Sequence, residues 1–115
     1  MADVHLTQAE ADALIAMDKH RVDEREWDYP DLGGGISIPL VSVDKREHFV
    51  LDVRRSRIDL AKGTYQNRGR QIAVLVRLDF GGAFGDTSDP WRTLQNFMQY
   101  CNIVGVPTIH RGLFT

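Results

Sequence analysis

From Gln71 to Phe80 apolar side chains fall on every second residue: Ile72, Val74, Val76, Leu78 and Phe80 line one side, and Ala73 and Leu75 make the other partly apolar. This is the period of a β-strand, sustained long enough to commit the chain to a sheet. Apolar residues on both sides predict a central strand, covered on both faces.

The remaining elements are read around that strand. Thr7 and Glu10 have the spacing of a capping box, and Leu6, Ala9, Ala13, Leu14 and Met17 recur at three and four, so residues 7–20 are expected to be an amphipathic helix. Ile36 to Val43 alternates as a strand, and Pro39, which cannot donate to a ladder, predicts an edge or a local break. His48 to Val53 alternates again through Phe49, Leu51 and Val53. Arg54 to Arg57 is read as a tight polar turn, Ile58 and Leu60 as its continuation, and Lys62 to Arg70 as irregular. Gly81, Gly82 and Gly85 open a loop. Ser88 or Asp89 then caps a second helix at about 90–102, with Pro90 in its first turn and Trp91, Leu94, Phe97, Met98 and Cys101 on its apolar stripe. The expected fold is α+β: an N-terminal helix, a three- to four-stranded antiparallel sheet and a C-terminal helix packed on the sheet, in a single domain over 1–115.

Charge is segregated along the chain. Residues 54–77 hold seven of the fourteen Lys and Arg with one acid, whereas residues 1–31 hold nine acids and three bases, so a net charge of −2 conceals two opposite poles. Segregation of this kind creates a local field for an anionic partner. Lys62, Tyr65, Arg68 and Arg70 are the candidate nucleic-acid-binding residues: the cations hold phosphates, and the ring stacks on a base. The expected partner is RNA or DNA, or a complex that handles nucleic acid, as in toxin–antitoxin or mobile-element systems. A small metal-independent ribonuclease is the alternative, with His48, Lys62, Tyr65 and Arg68 as catalytic residues, provided that they converge. A third reading is a phage-type inhibitor or assembly module whose acidic N-terminal part captures a protein through Glu24, Glu26, Trp27 and Tyr29. The two poles also suggest a salt-sensitive homodimer.

Other chemistry is disfavoured. Gly33, Gly34 and Gly35 precede a strand rather than a helix and lack the Lys of a phosphate loop. His5, His20, His48 and His110 have no metal-ligand spacing, and no cofactor or metal is expected. Cys101, the single cysteine, reads as a small buried hydrophobe and excludes an internal disulfide. Met1 to His5 lacks the pattern of a signal peptide, and no apolar run is long enough to span a bilayer, so a cytoplasmic protein without membrane contact is expected.

Across LTQAEADALIAMDKHRVD, SIPLVSVDKREHFVLDV, KGTYQNRGRQIAVLVRLDFGG and WRTLQNFMQYCNI the chain resembles a family of small, uncharacterised bacterial proteins with no established activity. That resemblance implies longer relatives, with a His- and aromatic-containing hairpin after the position of Phe80 to Gly82, where this chain has only a short Gly-rich loop. A looser similarity, in size and element order alone, is to the RelE-like ribonuclease toxins.

Overall fold

A computed structural model describes residues 6–57, 62–70, 72–80 and 89–111. Ten elements follow one another: α1 (Gln8–Ala16), β1 (Lys19–Arg21), β2 (Glu26–Asp28), β3 (Gly35–Ser42), β4 (His48–Arg55), β5 (Gly63–Gly69), β6 (Ala73–Phe80), α2 (Pro90–Tyr100), β7 (Ile103–Gly105) and β8 (Thr108–His110). Six strands form one curled mixed sheet in the order β6-β5-β4-β3-β1-β7, and β2 pairs with β8 apart from it. β3 to β6 form an antiparallel meander, whereas β1 with β7 and β2 with β8 are parallel. The protein is therefore mostly β, with two short helices, and the expected three- to four-stranded antiparallel sheet is corrected to a larger mixed one.

The error has a physical source in each element. β5 was expected to be irregular because its core-facing positions are Tyr65, Asn67 and Gly69, which carry little hydropathy; all three are buried. β6 was expected to be central and is instead the edge. Its Ile72 flank, Val74 and Leu78 remain 48 %, 54 % and 36 % exposed. A register shift opposite Asn67 and Arg68 breaks its alternation, so that Leu75 and Val76 both pack on the core. β1, β2, β7 and β8 have three residues each, too few to carry a period, and they form because distant partners complete their ladders. β4 runs through Arg54 and Arg55, so no turn begins there. The expectations for Ile58, Leu60, Gly81, Gly82, Gly85 and Ser88 fall outside the described residues.

The helix starts agree with the sequence. Thr7 and Glu10 form the reciprocal capping box, and the Asp89 carboxylate accepts from the Trp91 amide with Pro90 in the first turn. The first helix nevertheless ends at Ala16 instead of continuing to 20, because Lys19 turns inward. Its buried ammonium donates to Ile15 O, Met17 O and Cys101 O at 3.0, 2.9 and 2.7 Å and lies 4.8 Å from the Phe49 ring centre. One side chain thus satisfies the C-terminal carbonyls of both helices. Burial lowers its pKa to about 8. Asn102, with a φ of 60°, reverses the chain after α2.

Both helices pack on one face of the sheet. Leu14, Leu94, Phe97, Met98 and Cys101 meet Ile38, Leu40, Phe49, Leu51, Val53 and Tyr65 there in one cluster. Pro39 stands just beyond the end of β1, where β3 has β4 as its only neighbour among the described residues, so the break that the proline predicts is local.

Candidate functional site

The pleat of the meander divides the cationic segment between two faces. Along β4, Phe49, Leu51, Val53 and Arg55 point to the core and the alternate residues point outward; along β5, Tyr65, Asn67 and Gly69 point in, and Thr64, Gln66 and Arg68 point out. Registers across the strands then place Arg54, Thr64 and Asp79 in one outer row, and Ser37, Asp52, Gln66 and Arg77 in the next.

At the middle of this outer face is a buried carboxylate. Asp52 is 2 % exposed and accepts from Ser37 Oγ at 2.6 Å, Gln66 Nε2 at 2.8 Å, and Arg68 Nε and Nη2 at 2.7 and 3.0 Å. Burial pushes its pKa up, but the hydrogen bonds from Arg68, Ser37 and Gln66 outweigh it and hold the carboxyl below its ordinary value. Arg68 is thus the clamp of a structural anion. Arg77 pairs with Asp79 at 3.2 Å, and Thr64 Oγ1 donates to the same carboxylate at 2.6 Å. Arg70, at a φ of 51° in the β5–β6 turn, pairs with Glu47 at 3.2 Å and Glu10 at 3.7 Å.

The far end of the β4–β5 hairpin differs. Arg54, Arg57 and Lys62 are exposed, and none of them forms an ion pair with a carboxylate among the described residues. Arg54 and Lys62 border a hollow of about 380 Å³ whose wall also includes Ser56, Thr64, Asp79 and Phe80. Gly63 lines the hollow and sets the close packing of its floor: a Cβ there would lie 2.5 Å from Arg54 O and 2.7 Å from the Phe80 ring, so only glycine lets the strands close up at this end. The Ser56 amide donates to Lys62 O at 3.1 Å and the Gly33 amide to Ser56 O at 3.0 Å, which ties the cations to the rigid sheet. The exposed cations Arg54 and Lys62 beside a shallow opening suit an anion held by charge-assisted hydrogen bonds, with the Asp79 carboxylate in the same wall already taken by Thr64 and Arg77.

Of the residues that the sequence singled out, only Lys62 stands at this hollow. Tyr65 is fully buried; its hydroxyl donates to Pro90 O at 2.7 Å and therefore accepts from Tyr29 at 2.5 Å, which fastens the start of α2 to the sheet. Burial, reinforced by Tyr29, raises its pKa far above the ordinary tyrosine value. No base can stack on this ring. His48 lies outward at the opposite end of β4, seven residues and about 20 Å from Arg55, the partner of Gly63 next to Lys62. His48, Lys62, Tyr65 and Arg68 therefore do not converge, as the ribonuclease reading requires.

At the acidic end Tyr29 is buried, and the half-buried Trp27 packs on the core with the Arg25 guanidinium 4.1 Å above its ring. Glu24 pairs with Arg21, and Glu26 with His110. Arg55, counted among the basic residues, turns inward, donates to Pro30 O at 2.9 Å and faces the Tyr29 ring. Cys101 is buried at the foot of α2, and burial pushes its thiol up to about 11. Among the described residues no group of three His, Cys, Asp or Glu converges as metal ligands, and no helix is long and apolar enough to cross a membrane.

Sequence reasoning counted Arg54 in the basic 54–77 region without making it a site residue, and it missed Asp52. The signal for Asp52 was present: a lone carboxylate in the apolar run Phe49 to Val53. No curated protein and no solved structure matches the chain. Residues 6–85 match a family of unknown function (DUF6978), a span that includes the hollow and ends before α2, and the chain belongs to that family.

Proposed function

We propose that this protein binds a polyanion, a nucleic-acid backbone, at the end of the β4–β5 hairpin. The observation that carries the reading is the contrast in pairing: Arg54, Arg57 and Lys62 are exposed at one end of the hairpin with no carboxylate partner among the described residues, while Arg68, Arg70 and Arg77 are held by Asp52, Glu47 and Asp79. Unpaired exposed cations on a rigid edge hold phosphates without first giving up an internal ion pair. Recognition would be of backbone charge, because Tyr65, the ring available for stacking in the sequence, is in the core.

Binding of labelled single-stranded RNA and duplex DNA at two salt concentrations tests the proposal. With about three phosphates neutralised, log K for duplex DNA should fall with log salt at a slope of about −2.7, and for single strands about −2. Absence of binding to either at low salt overturns it.

A further inference from the structure

The outer edge of β6, which reaches the hollow at Asp79 and Phe80, is a second feature of the surface. β6 is eight residues long and ends the sheet, and among the described residues no strand pairs with its outer side. Edges of this length are ordinarily blunted by a proline, a lysine or a covering element. β6 has no proline or lysine; its edge is marked by a bulge near Leu75 and by the exposed Arg77 and Asp79, and its Val74 and Leu78 are exposed as well. Beside it, between β6 and α2, runs a groove of about 530 Å³ walled by Val76, Leu78, Phe97 and Tyr100 together with the polar Arg77, Thr93 and Asn96.

We propose that β6 pairs antiparallel with β6 of a second copy, across a two-fold axis at Leu78. The charge pattern selects this register. Antiparallel pairing about Leu78 sets Arg77 opposite the second copy's Asp79, and Asp79 opposite its Arg77, on the outer face; Leu78 meets its equivalent, and Val76 meets Phe80, on the core face. Centring on Arg77 or on Asp79 would bring like charges together, and centring on Val76 would set Arg77 against Leu75. A slip of one residue puts Arg77 against Leu78 and turns the second copy's core face outward. Within one chain Arg77 and Asp79 already pair at 3.2 Å with both side chains exposed, so pairing between copies exchanges one ion pair for its equivalent. The two β6–α2 grooves then join across the axis, which adds apolar burial to the backbone ladder.

Sedimentation of the full chain across a wide concentration range, combined with a cysteine scan, tests this. The expected result is a concentration-dependent dimer. Leu78→Cys should oxidise to a covalent dimer, because directly opposed Cβ atoms lie within disulfide reach. Val74→Cys, far from the axis, and the unaltered chain, whose Cys101 is buried, should not. Arg77→Asp should weaken dimerisation about tenfold by opposing like charges, and adding Asp79→Arg to it should restore the dimer. Circular dichroism of each variant separates loss of pairing from loss of fold. A monomer at every concentration, equal cross-linking through Val74→Cys, or a double charge exchange that fails to restore a dimer lost with the single change while the fold persists would each overturn the proposal.

Discussion

The two ends of the outer sheet face carry the same kind of side chain and use it in opposite ways. Around Asp52 every guanidinium is part of the fold: Arg68 neutralises a buried carboxylate, Arg70 ties the β5–β6 turn to Glu47 and Glu10, and Arg77 pairs with Asp79. At the hairpin end, Arg54, Arg57 and Lys62 are connected to the fold through their backbone alone among the interactions described. Cation density along a sequence therefore overstates the field that a folded surface offers. What remains available is what the acids have not claimed.

The comparison predicts that the two ends fail differently. Asp52→Ala strands Arg68 beside a buried gap, and with Arg68 still 27 % exposed to water it should cost about 2 to 3 kcal/mol, measured by urea unfolding. Because the Asp52 carboxyl lies below its unfolded value, its contribution is present above about pH 4 and is lost as pH falls through the folded value; the difference between wild type and Asp52→Ala should shrink over that acidic window. A difference that stays constant down to strong acid would show that Asp52 acts by packing.

Gly63→Ala tests the packing that floors the hollow. Its new methyl group must displace Arg54 O or the Phe80 ring, at a cost of about 2 kcal/mol, and should weaken polyanion binding beyond any loss of fold. Tyr65→Phe should cost about 1.5 kcal/mol, since Tyr29 and Pro90 O lose their buried partner, yet leave polyanion binding intact. A loss of binding in a stable Tyr65→Phe protein would return the tyrosine to the site and erase the distinction between core and surface. Smallest in stability are Arg54→Gln and Lys62→Gln, within about 0.5 kcal/mol of wild type by thermal unfolding.

Much of the local structure was legible in the residues: the capping box at Thr7, the Asp89 and Pro90 start of α2, and strands β3 and β4 close to their observed bounds. These depend on neighbours in sequence. The position of β6 was not legible, because its apolar alternation describes burial potential and not which strand lies beside it. β5 was hidden by a core of Tyr65, Asn67 and Gly69, and the three-residue strands by their length. The site suffered from the same cause. Lys62, Tyr65, Arg68 and Arg70 are near neighbours in sequence, and alternation along β5 sends Tyr65 inward while Asp52, thirteen residues before it, takes Arg68. Arg54 belongs to the basic 54–77 region of the sequence, and its place beside Thr64 required the register.

The most direct test removes one charge at a time from each end and measures polyanion binding at low salt. Arg54→Gln and Lys62→Gln should each weaken binding to single-stranded RNA several-fold and reduce the salt slope by about 0.7, while Arg70→Gln leaves both unchanged. Equal losses from Arg70→Gln and from the hairpin-end variants would contradict the account, because binding would then follow total charge and not the cations that the fold leaves unpaired.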